Sequence, residues 1–373
     1  GRGGDHSELG AVDAEAFCLE HDLSSYDAKL VAWLVKQHLV MSMTAQQRDI
    51  NDPDVVLEFA KIMGNTNRLD YLFLLTVADM RGTNPGKWNS WKYSLLSSLY
   101  KQTKQVLRRG LDNPADHKEL VDEVKQDAEQ ALLKSGLTQD EITHVWNDFE
   151  DDLFLRYTVD DIIAQTQLIA RTVVEALPIV VSRFVAERGS TEIYIYDRDK
   201  TELFSEITRS LERMHLNILD ARILTTRSGM AADTIHVHDA NGDPVTDNAQ
   251  LQDISERIRK AILATEEQPF AAQEHRSRQH KHFDVATRLQ FYPHHLHNVT
   301  VMELVAADRP GLLSRVAEVL KENEIRLHMA RIATIGAQAD DMLYITDEMD
   351  QPLTTKTQER LKEAIITALD GPE

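Results

Sequence analysis

Cysteine is nearly absent from this chain: Cys18 is the single one among 373 residues. One thiol cannot close an intrachain disulfide, and such sparse usage points to a reducing compartment. No apolar run approaches the roughly 20 residues that a membrane-spanning helix needs, and no signal-peptide pattern is present. Positive charge is also scarce, with 41 Lys and Arg against 61 Asp and Glu, a formal balance of −20. A surface of that sign repels phosphate backbones and anionic lipid at long range, so neither nucleic acid nor a membrane is an expected partner. What is present, 42% hydrophobic and 27% charged residues, is ordinary for a globular chain. The length predicts two to four domains rather than one core. Composition therefore describes a soluble, cytoplasmic, multidomain protein.

Residues 1 to about 145 read as almost entirely helical. In DAKLVAWLVKQHLVMS (27–42), Leu30, Val31, Leu34, Val35 and His38 share one face at a 3.6-residue period. NRLDYLFLLTVADM (67–80) is apolar nearly all round and predicts a buried central helix. Gly110 marks the stop of the next helix, and Thr138 with Glu141 three residues on predicts a capping box. Near residue 190 the texture changes. TEIYIYD (191–197) alternates as a strand, and helix, strand, strand and helix follow. A polar stretch, 265–282, reads as a surface linker, and FDVATRLQFYP (283–293) as one more strand.

The pattern then repeats. At an offset of 109, Asp199 falls on Asp308, Leu203 on Leu312, Ser205 on Ser314, and Ala221-Arg222-Ile223 on Ala330-Arg331-Ile332. Past the next turn the offset slips by one and pairs Asp233 with Asp341 and Pro244 with Pro352. This is an internal duplication. Each copy reads βαββαβ, a ferredoxin-like sandwich, although the second copy runs out after its last helix (355–369), so its final strand is missing or supplied otherwise. Between strand and helix of that copy stand Asp308, Arg309, Pro310, Gly311 and Leu312. Proline suits a first helical turn, glycine admits a close approach to the backbone, and the open N–H groups of a helix start attract a carboxylate.

That loop in such a unit resembles the ACT domain, a small-molecule sensor that commonly binds amino acids. The resemblance implies a ligand site along Asp308 to Leu312. The first copy departs from it: Asp199 is followed by Lys200-Thr201-Glu202-Leu203, without Pro or Gly, and Glu202 stands where a ligand's carboxylate would approach. Asn217 either holds a ligand amide or is a turn residue.

Three polar residues stand on the apolar helices: His6, His38 and Asp79. Each reads as a hydrogen-bonded core residue or as a metal ligand for phosphoester chemistry. Their order resembles the HD hydrolases. GRGGDHSELGA, WLVKQHLVMS, LTVADMRGTNPGKWNSWK, DLFLRYTVDDI and KHFDVATRLQFYP together resemble one family, the bifunctional uridylyltransferase/uridylyl-removing enzymes acting on the PII nitrogen-signalling protein. The resemblance implies an α+β multidomain chain. An all-α HD-type domain (1–145), truncated at its front, and a helical connector (146–189) precede two βαββαβ ferredoxin-like ACT domains, 190–293 with its linker and 294–373. It implies His6, His38 and Asp79 as metal positions, with His6 and Asp79 catalytic, and Mg2+ or Mn2+ as the ion. Glutamine is the implied effector, PII the partner, and the ACT domains pair within the chain or between chains. The chain contains neither the family's nucleotidyltransferase site nor its His-Asp dyad, so the expectation is a fragment with a weakened or absent metal site. Two alternatives are a non-catalytic ACT sensing module with a degenerate HD domain and another HD–ACT phosphohydrolase.

Other candidates carry blander expectations. The histidines at 275, 280, 282, 294, 295 and 297 match no closed zinc spacing. Asp5 is either a carboxylate orienting His6 or a helix cap, and Arg2 a phosphate contact or a frayed end. NDFEDD (147–152) reads as a solvated acidic segment, and Cys18 as core.

Overall fold

The computed structural model describes residues 5–83, 88–111, 117–173, 176–200, 203–264, 286–294, 298–309, 311–332, 334–335 and 338–370. The chain divides into two compact units, 1–123 and 124–373.

The first unit is helical: α1 (His6–Glu20), α2 (Ser25–Gln37), α3 (Val40–Gln47), α4 (Pro53–Met63), α5 (Thr66–Thr83), α6 (Ser90–Arg109) and the start of α7 (His117–Lys134). Local chemistry sets the ends. Asp5 caps α1 by accepting from the N–H groups of Ser7 and Glu8 at 2.7 and 3.1 Å, which is the cap reading of that residue. Ser24 and Asp52 cap α2 and α4, Pro53 opens α4, and Gly64 closes it in the left-handed region. Gly10 lets α1 and α2 approach closely, since a Cβ there would meet Val35 Cγ1 at 3.1 Å. Phe59, Met63, Leu69, Leu72, Leu96 and Leu99 form the interior, and Cys18 is buried as expected.

Two expectations change here. The helix read over 27–42 breaks at His38 and Leu39 into α2 and α3. Helix α5 is not buried all round: only Leu69, Leu72 and Thr76 are fully enclosed, Tyr71 and Leu74 are exposed, and so is Asp79.

The second unit continues with α8 (Gln139–Trp146), α9 (Asp152–Arg156) and α10 (Val159–Ala170). Capping boxes start α8 (Thr138 with Glu141) and α10 (Thr158 with Asp161). Then come β1 (Ile179–Val185), β2 (Ser190–Arg198), α11 (Leu203–Arg213), β3 (Asn217–Arg222), β4 (Met230–His238) and α12 (Asn248–Leu263). The second copy supplies β5 (Arg288–Pro293), β6 (Thr300–Ala307), α13 (Leu312–Glu322), β7 (Ile325–Arg331), β8 (Thr334–Ile335), β9 (Gln338–Asp347) and α14 (Thr355–Asp370). The nine strands among the described residues form one sheet, in the order β1-β2-β4-β3-β7-β9-β6-β5, with β8 paired to β9. Helices α11 to α14 bury a single apolar cluster that runs through both copies, from Ile193, Ile207 and Ile235 to Leu304, Val316 and Leu343.

Both ferredoxin-like sandwiches are present, but the outer strand of each comes from an unexpected direction. Strand β1, inside the stretch read as helical connector, pairs with β2, and β5, read as closing the first copy, pairs with β6 of the second. Each copy is therefore ββαββα. The final strand that the second copy lacked is supplied from its N-terminal side.

Candidate functional site

The two copies meet edge to edge through β3 and β7, which are antiparallel, with Asp220 opposite Arg331, Ala221 opposite Ala330 and Arg222 opposite Met329. Ala221 and Ala330 are the same position of the duplication, so a local twofold relation passes between them. The flanking hydrogen bonds obey it: Ile223 N–H donates to His328 O at 2.8 Å, and Ile332 N–H to Leu219 O at 3.1 Å. On the helical face, Arg209 of α11 pairs with Glu318 of α13 at 2.6 Å, again equivalent positions. Ser314 Oγ donates to Glu212 at 2.8 Å. At the seam lies a buried polar group. Asp220 is 3.3 Å from Arg331 Nε and 3.7 Å from Arg222 Nε, while Arg222 lies over the Tyr157 ring and donates to Arg156 O. Sequence reasoning missed this group. The signal was Arg222 and Arg331 at matching places of the repeat, each on a strand with apolar neighbours, where a buried cation needs a partner.

The antiparallel seam places the two candidate ligand loops at opposite ends of the sheet. In the second copy Gly311 has φ +82°, a conformation that favours glycine, and stands as the N-cap of α13 with no side-chain cap hydrogen bond. Asp308 is half-buried and Arg309 exposed, with its guanidinium donating to Leu369 O. Leu312 is a core side chain, so it anchors the loop. Pro310 lies outside the described residues. In the first copy, Asp199 accepts from Thr225 Oγ1 at 2.9 Å, and its N–H donates to Gly229 O at 3.0 Å. Glu202 is outside the described residues. Asn217 opens β3, is exposed and donates to Asp239 O at 3.1 Å.

The outer face of the first copy carries a second polar group. Asp161 on α10 receives Arg183 Nη2 at 2.9 Å and Arg188 Nη2 at 2.7 Å, and Arg183 Nε donates to Glu192 at 2.6 Å. His236 lies 3.2 Å from Arg188 and 3.1 Å from Ser190 Oγ. Burial pushes Asp161 up, yet the charge of Arg188, the hydroxyl of Thr158 and the charge of Arg183 outweigh it and hold this carboxyl low. Burial raises Glu192 and drives His236 well below the usual imidazole range. Asp233, buried beside the first loop with Leu224 N–H donating to it at 3.3 Å, is pushed well up for the same reason.

Of the three expected metal positions, the fold brings two together. His6 opens α1, His38 ends α2, and their rings meet edge to face at 5.7 Å. His38 Nδ1 is 2.8 Å from Val35 O, His6 is exposed, and Asp79 accepts from Thr83 Oγ1 at 3.1 Å on another helix. Among the described residues, no three His, Cys, Asp or Glu side chains converge to hold an ion. His294 faces Tyr344 at 5.7 Å, while the other five histidines of its neighbourhood, the linker 265–282 and Arg2 lie outside the described residues. Among the described residues, no helix is long and apolar enough to cross a membrane.

Comparison with known proteins bears on the whole chain. Residues 116–168 match the family model "Uridylyltransferase GlnD fifth domain", and residues 300–365 match "ACT domain". Bifunctional uridylyltransferase/uridylyl-removing enzymes align along the chain. That of Ectopseudomonas mendocina is 41% identical, covering 100% of this chain and 42% of its own length. That of Pseudomonas aeruginosa strain UCBPP-PA14 is 41% identical over 99% and 42%. That of Methylococcus capsulatus is 43% identical over 95% and 40%. The chain thus spans about two-fifths of the length of these relatives. No solved structure matches.

Proposed function

We propose that this chain, a homologue along its whole length of the bifunctional uridylyltransferase/uridylyl-removing enzymes, is the part of such an enzyme that senses an amino acid, with glutamine as the effector. The observation that carries this reading is the seam. Two equivalent strands join two copies of one sensor fold into a single sheet around Ala221 and Ala330. One sheet and one shared apolar cluster let a ligand at one loop bias the packing of both copies, which is the differential binding that regulation requires.

Within this reading the second copy's loop is the primary ligand site. Gly311 opens the start of α13, whose N–H groups favour the ligand's carboxylate, and Asp308 supplies a partner for its ammonium. The first copy's loop, bound to its own hairpin through Asp199, is the weaker site. PII is the protein substrate of the intact enzyme, and its action is attachment and removal of a uridylyl group in a cytoplasmic setting. For removal, His6 and His38 are the residues of the helical unit that would stand near Mg2+ or Mn2+. Among the described residues no third ligand converges on these two imidazoles, so no hydrolytic step is assigned to them.

Isothermal titration of the whole chain with L-glutamine tests the sensor. Heat is expected from the wild type and none from Asp308→Ala, which imposes no backbone strain. Gly311→Val should also bind nothing, and should lose about 1–2 kcal/mol of stability because valine is strained at positive φ. A wild type without heat, or undiminished heat from Asp308→Ala, overturns the reading.

A further inference from the structure

The tip of the hairpin joining β3 to β4 is held on two sides. On one side it grips the turn between α8 and α9, the acidic stretch that read as solvated. Arg227 donates from Nε to Glu150 Oε1 at 2.7 Å, from Nη2 to Oε2 at 2.8 Å and from Nη1 to Asn147 O at 2.8 Å. Its backbone N–H donates to Asp148 O at 2.8 Å. Ser228 adds an N–H bond to Asp148 Oδ1 at 2.7 Å and a hydroxyl bond to Oδ2 at 2.6 Å. A guanidinium held at both carboxylate oxygens fixes an angle as well as a distance. The turn itself is seated by Phe149, which is buried.

On its other side the tip holds the first copy's candidate loop. Thr225 donates to the Asp199 carboxylate, and the Asp199 N–H donates to Gly229 O. Between these grips the tip is stiff. Thr226 N–H donates to Met230 O at 2.7 Å, Gly229 N–H to Thr226 O at 3.0 Å, and Met230 N–H to Thr226 Oγ1 at 3.1 Å. A rigid element with a partner at each end passes a displacement on. The second copy has no counterpart in sequence: its stretch between Arg331 and Asp341 is IATIGAQAD, with neither Arg nor Ser.

We propose that the 225–229 hairpin tip is a coupler that transmits the state of Asp199 to the α8–α9 turn, and so to the segment matching the fifth-domain family model. The transmitted signal rests on reading the repeats as glutamine sensors; the latch itself does not. Coupling of this kind exists only if both ends change between states.

Hydrogen–deuterium exchange on the whole chain, with and without L-glutamine, separates the two. Without ligand, Arg227→Ala should speed exchange at 147–151 by roughly fivefold or more. Arg227→Lys, which keeps the charge but not the fork, should fall between. Strand 191–197 should stay protected in both variants and so report intact folding. With glutamine, peptides around Asp199 and the 147–151 turn should both respond in the wild type. In Arg227→Ala only those around Asp199 should respond. Unchanged ligand-free exchange at 147–151 in Arg227→Ala overturns the latch. A silent turn beside a responding Asp199 in the wild type overturns the coupling, as does a turn that responds equally in Arg227→Ala. Absence of glutamine binding removes the sensor reading and the signal together, and is distinguished by the ligand-free arm.

Discussion

The two copies of the repeat share their inner face and differ on their outer one. Ile193, Ile195 and Ile235 of the first copy and Leu304 and Leu343 of the second face one apolar cluster. Outside, the first copy presents Glu192, Thr234 and His236; Gln165 of α10 and Tyr157, just before it, donate to Thr234, and Asp161 of α10 reaches Glu192 through Arg183. At the equivalent places the second copy has Val301, Met342 and Tyr344, which join Met329 in a small apolar cluster. Duplication keeps the side of a sheet that must fit a shared core, because volume changes there are costly. It releases the other side to acquire partners. The first copy carries a covering helix and a latched hairpin, while the second carries the loop with Gly311 at positive φ. Under the proposed sensor reading, the two copies divide the labour between them.

The strongest way to break the comparison is Asp161→Ala. It strips a buried carboxylate from Arg183 and Arg188 and removes the α10 capping box, and should cost about 2–3 kcal/mol by urea unfolding. The second copy has Val301 and Tyr344 at the places of Glu192 and His236, so a loss confined to β2, β4 and α10 in exchange data would mark the effect as local.

A smaller effect should appear in the pH profile. Buried His236 has its folded pKa well below 6.5, so the unfolded chain takes up a proton that the folded one refuses. Stability is therefore full above the unfolded value and falls as pH drops through it, by up to about 1.4 kcal/mol per pH unit. Glu192, raised by burial, acts with the opposite sign, and Asp161, held low, acts only below the ordinary Asp value of 3.8. The difference between wild type and His236→Gln reflects the imidazole's contribution together with its contact to Glu192 at 3.9 Å. It should grow to about 1 kcal/mol between pH 6.5 and 5.5 in thermal melts, and parallel profiles would exclude this role.

The smallest expected effect sharpens the twofold relation. A double-mutant cycle on Arg209→Ala and Glu318→Ala should give a coupling energy of about 0.5–1 kcal/mol, since the pair is half-buried and well formed at 2.6 Å. Zero coupling would mean that this ion pair adds nothing to the strand pairing, the Ser314–Glu212 bond and the shared apolar cluster that join the copies.

Much of this was legible from residue order. The 109-residue offset already aligned Ala221 with Ala330 and Arg222 with Arg331, and the caps at Thr138 and Gly110 sit where their chemistry placed them. The errors have one character. Helix α5 read as buried because apolar residues surround it, but exposed Tyr71 and Leu74 show that composition does not reveal which face finds a neighbour. NDFEDD is exposed at Asn147, Glu150 and Asp151, as read, but nothing local showed that Arg227, 77 residues from Glu150, meets it. His6 and His38 were named together for their order, and their approach follows from the close packing of α1 on α2 at Gly10.

Sequence alone determined the duplication, the strand at 191–197, the helix caps at Thr138 and Gly110 and the likeness to known relatives, because these depend on residues near one another in the chain or on direct identity. Tertiary structure decided which strand closes each sandwich, that β3 and β7 pair in register at Ala221 and Ala330, that α10 covers only one copy, and that the hairpin tip reaches the α8–α9 turn. Those outcomes rest on contacts between residues tens to more than a hundred positions apart. They are chosen by competition among many possible pairings for the same backbone donors and the same apolar surface, and no short stretch of sequence encodes the winner.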